Sequence, residues 1–257
     1  MTLSTHGANN DPRGRTPIDP AIFLPGNADG KRVKILGVSG QSPLGNSALI
    51  DPSDPPQAIG PEVYELNVFD GNIYRCDGGP LNNCDVFAPG RLSILPYWGS
   101  RLIALEKCDR ILLCALNVNG SQSWRWHKGA NDLYPRVTAL LAWCAANGLA
   151  LTEWVHMLGQ GDMLYAYDNS IPPDATAARF AANTTSFLRD LKADGCTAAI
   201  TVGRGAYQMW RPAALIEAVV QGQTMAAAAA GVSVGPNDDV WKDADGDAEH
   251  YRCDGVH

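Results

Sequence analysis

The residues best suited to nucleophilic chemistry stand in a glycine-rich stretch, G-V-S-G-Q-S-P-L-G-N over residues 37–46. It begins within a short apolar, β-branched run, Val33 to Val38, so a buried strand delivers it into a loop. A serine in such a turn can expose its hydroxyl and lend its own backbone N–H to a developing oxyanion. Two rival readings fail on residue type. Gly40 to Ser47 fits the phosphate-binding pattern G-x-x-x-x-G-x-S, but Asn46 occupies the place of the lysine that neutralises phosphate charge. Ser39 is not in a nucleophile elbow, because G-x-S-x-G needs glycine where Gln41 stands.

The elements that must carry this loop alternate along the chain. Arg110 to Val118 is a second buried strand ending in a polar, glycine-containing turn. Leu133, Val137, Leu140, Leu141 and Cys144 then recur at helical spacing, with Gly148 placed to stop the helix. Leu151 to Leu158 is strand-like, Thr176 to Asp194 helical, Thr197 to Val202 a strand again, and Ala213 to Ala230 a helix opened by Pro212. The alanines at 226–230 fit close packing of that helix on a sheet. Residues 51–100, rich in Pro and Gly, are expected to wrap the surface. This order predicts an α/β fold, a three-layer α/β/α sandwich on a mostly parallel sheet. In such folds ligands bind beyond the carboxyl ends of the strands, so the loops after residues 38, 118 and 158 are where chemistry belongs. Residues 1–30, with little periodicity, read as an N-terminal arm or extended loop, and 31–257 as one domain.

Composition narrows the partners. The formal charge of −7 argues against nucleic acid, whose phosphates need clustered Lys and Arg. No run approaches the roughly 20 apolar residues that span a bilayer, and the first residues lack the charged and apolar regions of a signal peptide. The expectation is a soluble protein, cytoplasmic or part of a phage or extracellular assembly. Of the seven cysteines, Cys108, Cys114, Cys144 and Cys196 fall in apolar segments, as buried thiols do. Cys76 and Cys84 lie in a Gly/Asn-rich loop that an oxidising compartment would allow to be bridged. No Cys-x-x-Cys spacing suggests zinc.

Together, the Gly40-Gln41-Ser42 block and three later ones resemble SGNH hydrolases, specifically the sialate O-acetylesterase-like carbohydrate esterases. That family's first block commonly reads G-Q-S-N; here Pro43 replaces Asn. Asn119, Gly120 and Ser121 followed by Trp124 resemble its G-G-S-x-x-x-W segment, with Asn119 a departure and two residues, not three, between serine and tryptophan. Gly159, Gln160, Gly161 and Asp162 resemble Q-G-E-x-D, with Asp162 where Glu is usual. The tail Asp254-x-x-His257 resembles the last block, approached through Gly235 to Asp239 and through Tyr251 and Arg252. The resemblance implies hydrolysis of ester bonds on acetylated carbohydrate without metal or cofactor. Ser42 would be the nucleophile, His257 the base and Asp254 its orienting carboxylate. The backbone N–H groups of Ser42 and Gly120, with the Gln160 amide, would form the oxyanion hole. Gln41, Ser121, Trp124 and Asp162 are possible substrate contacts. Spacing agrees: three residues apart on a turn, a carboxylate can fold back on an imidazole and hold its tautomer. His257 closes the sequence, so this half of the triad is expected to be the least rigid.

Competing residues remain. Asp162 could instead be a loop carboxylate capping backbone N–H groups. His127, after Trp124 and Trp126, fits a substrate rim, while His156, inside a strand, fits a satisfied core histidine; neither has a carboxylate at matching spacing. His6 and His250 read as solvated. The acidic run over 243–247 invites calcium, but Gly246 stands fourth where an EF-hand loop needs its glycine sixth. Trp124, Trp126 and Trp210 suggest a non-catalytic carbohydrate-binding module instead, and the 1–30 arm a structural or adhesive one.

Overall fold

The computed structural model describes residues 14–41, 44–45, 58–85, 92–130, 132–206 and 211–237. Seven strands form one sheet: β1 (Val33–Gly40), β2 (Val63–Asn67), β3 (Asn72–Arg75), β4 (Arg110–Ala115), β5 (Glu153–Met157), β6 (Ala199–Arg204) and β7 (Ser233–Asn237). Their order is β3-β2-β4-β1-β5-β6-β7. All neighbours are parallel except the β2–β3 hairpin. The parallel strands read as apolar runs because both faces are covered. Along β4, Leu112 and Cys114 face a core shared with helices α2 (Tyr134–Ala146), α4 (Pro173–Ala193) and α5 (Ala213–Ala230). Ile111 and Leu113 face the other core, which includes Leu95 of α1 (Leu95–Ala104). Helix α3 (Gln160–Asp168) follows β5 directly.

Strand β1 is central, and the chain moves from it first to β2, β3 and β4 on one side, then to β5, β6 and β7 on the other. The order reverses at β1, the switch point where such sheets open a crevice beyond their carboxyl ends. The loops leaving β4, β1 and β5 are therefore side by side.

Two expectations need correction. The region 51–100 does not merely wrap the surface: it supplies β2, β3 and α1, and Val63 and Ile73 are fully buried. The alanine-rich helix is small-faced chiefly for a neighbouring helix. A Cβ on Gly222 would stand 2.8 Å from the Ala177 carbonyl oxygen and 3.1 Å from Phe180 of α4. Cys76 and Cys84, whose bridging the sequence left open, are both buried and are not joined by a disulfide. Residues 14–30 lie against the sheet edge. Ile18 bridges to Ile73, Phe23 packs edge-on against Tyr64 at 5.3 Å, and Arg110 donates to the Ile22 carbonyl and to Asp29 at 2.7 Å each. No helix among the described residues is long and apolar enough to cross a membrane.

Candidate active site

Strand β1 ends against β5 so closely that only glycine fits. Gly40 has φ 152°, and a Cβ there would stand 1.9 Å from the Met157 carbonyl oxygen. Gln41 follows, 2% exposed. Its backbone N–H donates to Met157 O (3.2 Å) and its carbonyl accepts from Asn117 Nδ2 (3.2 Å). Its side-chain Oε1 accepts from the N–H groups of Gly159 (3.2 Å) and Gly161 (3.1 Å), while Nε2 donates to Gln160 Oε1 (2.9 Å). Gln41 thus ties the loop after β1 to the end of β4 and to the start of α3.

The β4 loop closes on the same point. Gly120 has φ 62°, a left-handed conformation that glycine adopts without cost. It is exposed, and its N–H has no partner among the described residues. Ser121 is fully buried: its hydroxyl donates to Gly40 O (3.4 Å) and accepts from Trp126 Nε1 (3.0 Å). Gly161 leaves no space for a side chain, since a Cβ would be 2.6 Å from Ser121 O and 2.9 Å from Gly120 O. The first turn of α3 therefore presses directly on the Gly120 loop.

Asp162 locks that contact. Its carboxylate accepts from Ser123 N (2.9 Å) and Ser123 Oγ (2.6 Å), and Asn183 Nδ2 donates to the same hydroxyl (3.2 Å). Burial pushes the Asp162 carboxyl up to about 6, opposed by the Ser123 bonds and by the charge of Arg179. The capping alternative describes this geometry. Arg179 lies 4.5 Å from the Trp124 ring centre and 4.1 Å from that of Tyr165, and the two rings meet edge to face at 4.7 Å.

Of the sequence-predicted site residues, Gln41, Gly120, Ser121, Gln160 and Asp162 come together at the carboxyl ends of β4, β1 and β5, with Trp124 half-buried beside them. Gln41, Ser121 and Asp162 are enclosed and bonded to protein, so they shape the site from beneath. Ser42, Asp254 and His257 lie outside the described residues, as do Trp210, His250 and the acidic run 243–247. Among the described residues there is no group of three or more His, Cys, Asp or Glu placed to hold a metal.

The structure corrects the tryptophan cluster as a sugar platform: Trp126 is fully buried, packed edge-on to His156 and Phe187. His156 is a core residue, though not a fully satisfied one. Its Nδ1 pairs with Ser39 Oγ at 2.8 Å and its ring stacks on Phe187 at 4.4 Å, while Nε2 is buried without a hydrogen bond. Burial pulls its pKa down to about 3. Ser39 also accepts from Trp154 Nε1 (2.9 Å), whose ring lies where a Cβ on Gly37 would be.

Sequence reasoning overlooked Asn117 and Gln223. Asn117 clamps the Gln41 carbonyl, and Gln223 of α5 accepts from Gly205 N (3.0 Å) and donates to Leu158 O (2.5 Å), bracing the turn before Gly159. Both are fully buried carboxamides in apolar segments. That mismatch is the signal that would have found them.

No family model matches the chain, and no curated protein matches it. Solved structures do. A protein from Arabidopsis thaliana superposes with a TM-score of 0.60, covering 87% of this chain and 92% of its own at 14% identity. A carbohydrate acetylesterase from Xanthomonas citri superposes with a TM-score of 0.53, covering 80% of this chain and 50% of its own at 13% identity. What these identities carry is the fold: the chain shares its three-layer α/β architecture with these two proteins.

Proposed function

We propose that the chain is a serine esterase that removes O-acetyl groups from carbohydrate. One observation carries the reading: Gly40–Gln41, Gly120–Ser121 and Gly159–Gln160, recognised separately as esterase blocks, meet at the switch point of the sheet. The sheet order alone sets these three loops side by side; what supports one site is that each of the three carries a block of the esterase pattern. The acetylesterase activity of the Xanthomonas citri protein with this fold is of the same kind.

In the proposed reaction His257, oriented by Asp254, takes the Ser42 proton as Oγ attacks the acetyl carbonyl carbon. The N–H groups of Ser42 and Gly120 and the Gln160 amide donate to the oxygen that gains charge. Collapse breaks the ester C–O bond, and His257 returns the proton to the departing sugar oxygen. Water, deprotonated by the same histidine, then attacks the acetyl-serine and releases acetate.

A non-catalytic sugar binder fits less well, because Trp126 is buried and Trp124 is covered by Arg179 and Tyr165. Acetate release from a panel of acetylated polysaccharides, compared between wild type and His257→Ala, tests the reading. Turnover by wild type that the variant loses by orders of magnitude supports it. Tight polysaccharide binding with no acetate released by either protein overturns it in favour of the binder.

A further inference from the structure

We propose that Asp85 is a positioning residue that holds the entry of the turn carrying the Gly120 N–H and so aims that donor at the substrate. The inference deepens the esterase reading and rests on it, in particular on the Gly120 N–H as an oxyanion donor.

Ser121 N donates to Val118 O (3.2 Å), closing a turn over residues 118–121. Within it Gly120 has φ 62° while Asn119 keeps a negative φ, which makes the turn type II. In type II the peptide between the two central residues is turned over relative to type I, so the Gly120 N–H points away from the Asn119 N–H instead of lying alongside it. Where the Asn119 N–H is held therefore decides where the Gly120 N–H looks. Asp85 holds it: Oδ2 accepts from Asn119 N at 3.1 Å, a bond strengthened by the carboxylate charge. The backbone N–H of Asp85 donates to Asn117 O (3.2 Å), so the same residue grips the chain on both sides of Val118. Asp85 is 6% exposed, and its charge acts on the fully buried Arg136. A carboxylate is costly to bury for a backbone bond that water would otherwise make, and here it leaves the Gly120 N–H on the exposed side of the turn. A Cβ on Gly120 would meet nothing within 4 Å, so what a larger residue disturbs there is φ alone.

Two substitutions separate this role from simple packing. Asp85→Ala removes the acceptor, whereas Asp85→Asn keeps an oxygen for the Asn119 N–H without the charge. Aryl acetate hydrolysis should show kcat lowered roughly 10- to 10²-fold by Asp85→Ala, the effect of a misplacement near 1 Å, with KM within about twofold. Asp85→Asn should recover kcat to within about threefold of wild type. Gly120→Val, which drives φ negative and turns the central peptide over, should lower kcat roughly 10²-fold. Adding Asp85→Ala to it should lower kcat little further, since no aimed donor is left. In the wild-type protein the Asn119 amide should exchange its hydrogen at least about 10²-fold more slowly than the Gly120 amide. Thermal melts verify that each variant is folded, and if Asp85→Ala is not, Asp85→Asn and the exchange rates decide. A wild-type kcat in Asp85→Ala, an equal loss in Asp85→Asn, losses that multiply in the double variant, or an Asn119 amide exchanging as fast as that of Gly120 overturn the proposal. A wild-type kcat in Gly120→Val removes Gly120 from the oxyanion hole and the proposal with it. Full activity in Ser42→Ala sinks the esterase assignment itself.

Discussion

Replacing Gly161 with alanine puts a methyl group where two backbone carbonyls already stand, and the consequence should appear in turnover more than in folding. The new Cβ would be 2.6 Å from Ser121 O, 2.9 Å from Gly120 O and 3.1 Å from the Ser121 carbonyl carbon, whereas ordinary contact begins near 3.4 Å. Relief requires a displacement of about 0.8 Å, the gap between 2.6 and 3.4 Å. No flexible side chain can absorb it. The Gly120 loop is pinned by Ser123 to Asp162 and by Trp126 to Ser121, so it moves as a piece or α3 does. Either way the Gly120 N–H shifts relative to Gln160. Overpacking of this kind costs about 1–3 kcal/mol, and a misplacement near 1 Å costs about 10²-fold in rate. The assay is aryl acetate hydrolysis at a temperature where a thermal melt shows the variant folded. Gly99→Ala serves as a milder overpacking control away from the site: its Cβ would be 3.1 Å from Ile111 Cγ2, beside the amino-terminal end of β4, and kcat should stay within twofold of wild type. If Gly161→Ala also keeps kcat within twofold, the coupling between α3 and the Gly120 loop is not what shapes the site.

Two further outcomes are expected. In the folded chain the Asp162 carboxyl holds its proton to about pH 6, while the unfolded chain releases it near 3.8. The stability this group contributes is therefore complete below pH 4 and is lost as pH rises to 6, by roughly 3 kcal/mol at most. Urea unfolding should show wild type losing stability relative to Asp162→Asn across that window and running parallel to it above; the opposite slope from His156 cancels in the difference, and a constant gap from pH 4 to 7 would contradict the assignment. Phe23→Ala should cost about 3–5 kcal/mol, because a ring 1% exposed is removed from the core beside Tyr64. A urea-unfolding loss below 1 kcal/mol would mean that residues 14–30 are not docked in solution.

The parallel core was legible because strands covered on both faces are written as unbroken apolar runs, as in Arg110 to Val118, and α5 was bounded by Pro212 and Gly231 as caps should be. The β2–β3 hairpin escaped because it carries a buried acid. Glu65 reads as solvent-facing, yet it is 2% exposed, accepting from Arg15 NH1 (2.6 Å) and from Asn82 N (2.6 Å), partners that local pattern does not reveal. The N-terminal segment hid for a related reason. Phe23 sits in a short apolar run, Ala21 to Leu24, closed by Pro20 and Pro25 and too short to show a period, so its place in the core is decided by tertiary contact. In the site, the loop positions followed from the βα order, but the enclosure of Gln41 and Ser121 did not. Both are polar residues in polar loops, enclosed where Gly40 approaches Met157 and Gly161 approaches Ser121.

The central claim is that Ser42 attacks an acetyl ester and carries the acyl group. Rapid acid quench of the protein during aryl acetate turnover, followed by peptide mass analysis, reads it directly. The account expects an acetyl group on the peptide containing Ser42, absent in Ser42→Ala, whose turnover falls by a factor of at least about 10³. Full turnover by Ser42→Ala, or an acetyl group found reproducibly on another residue, would contradict it.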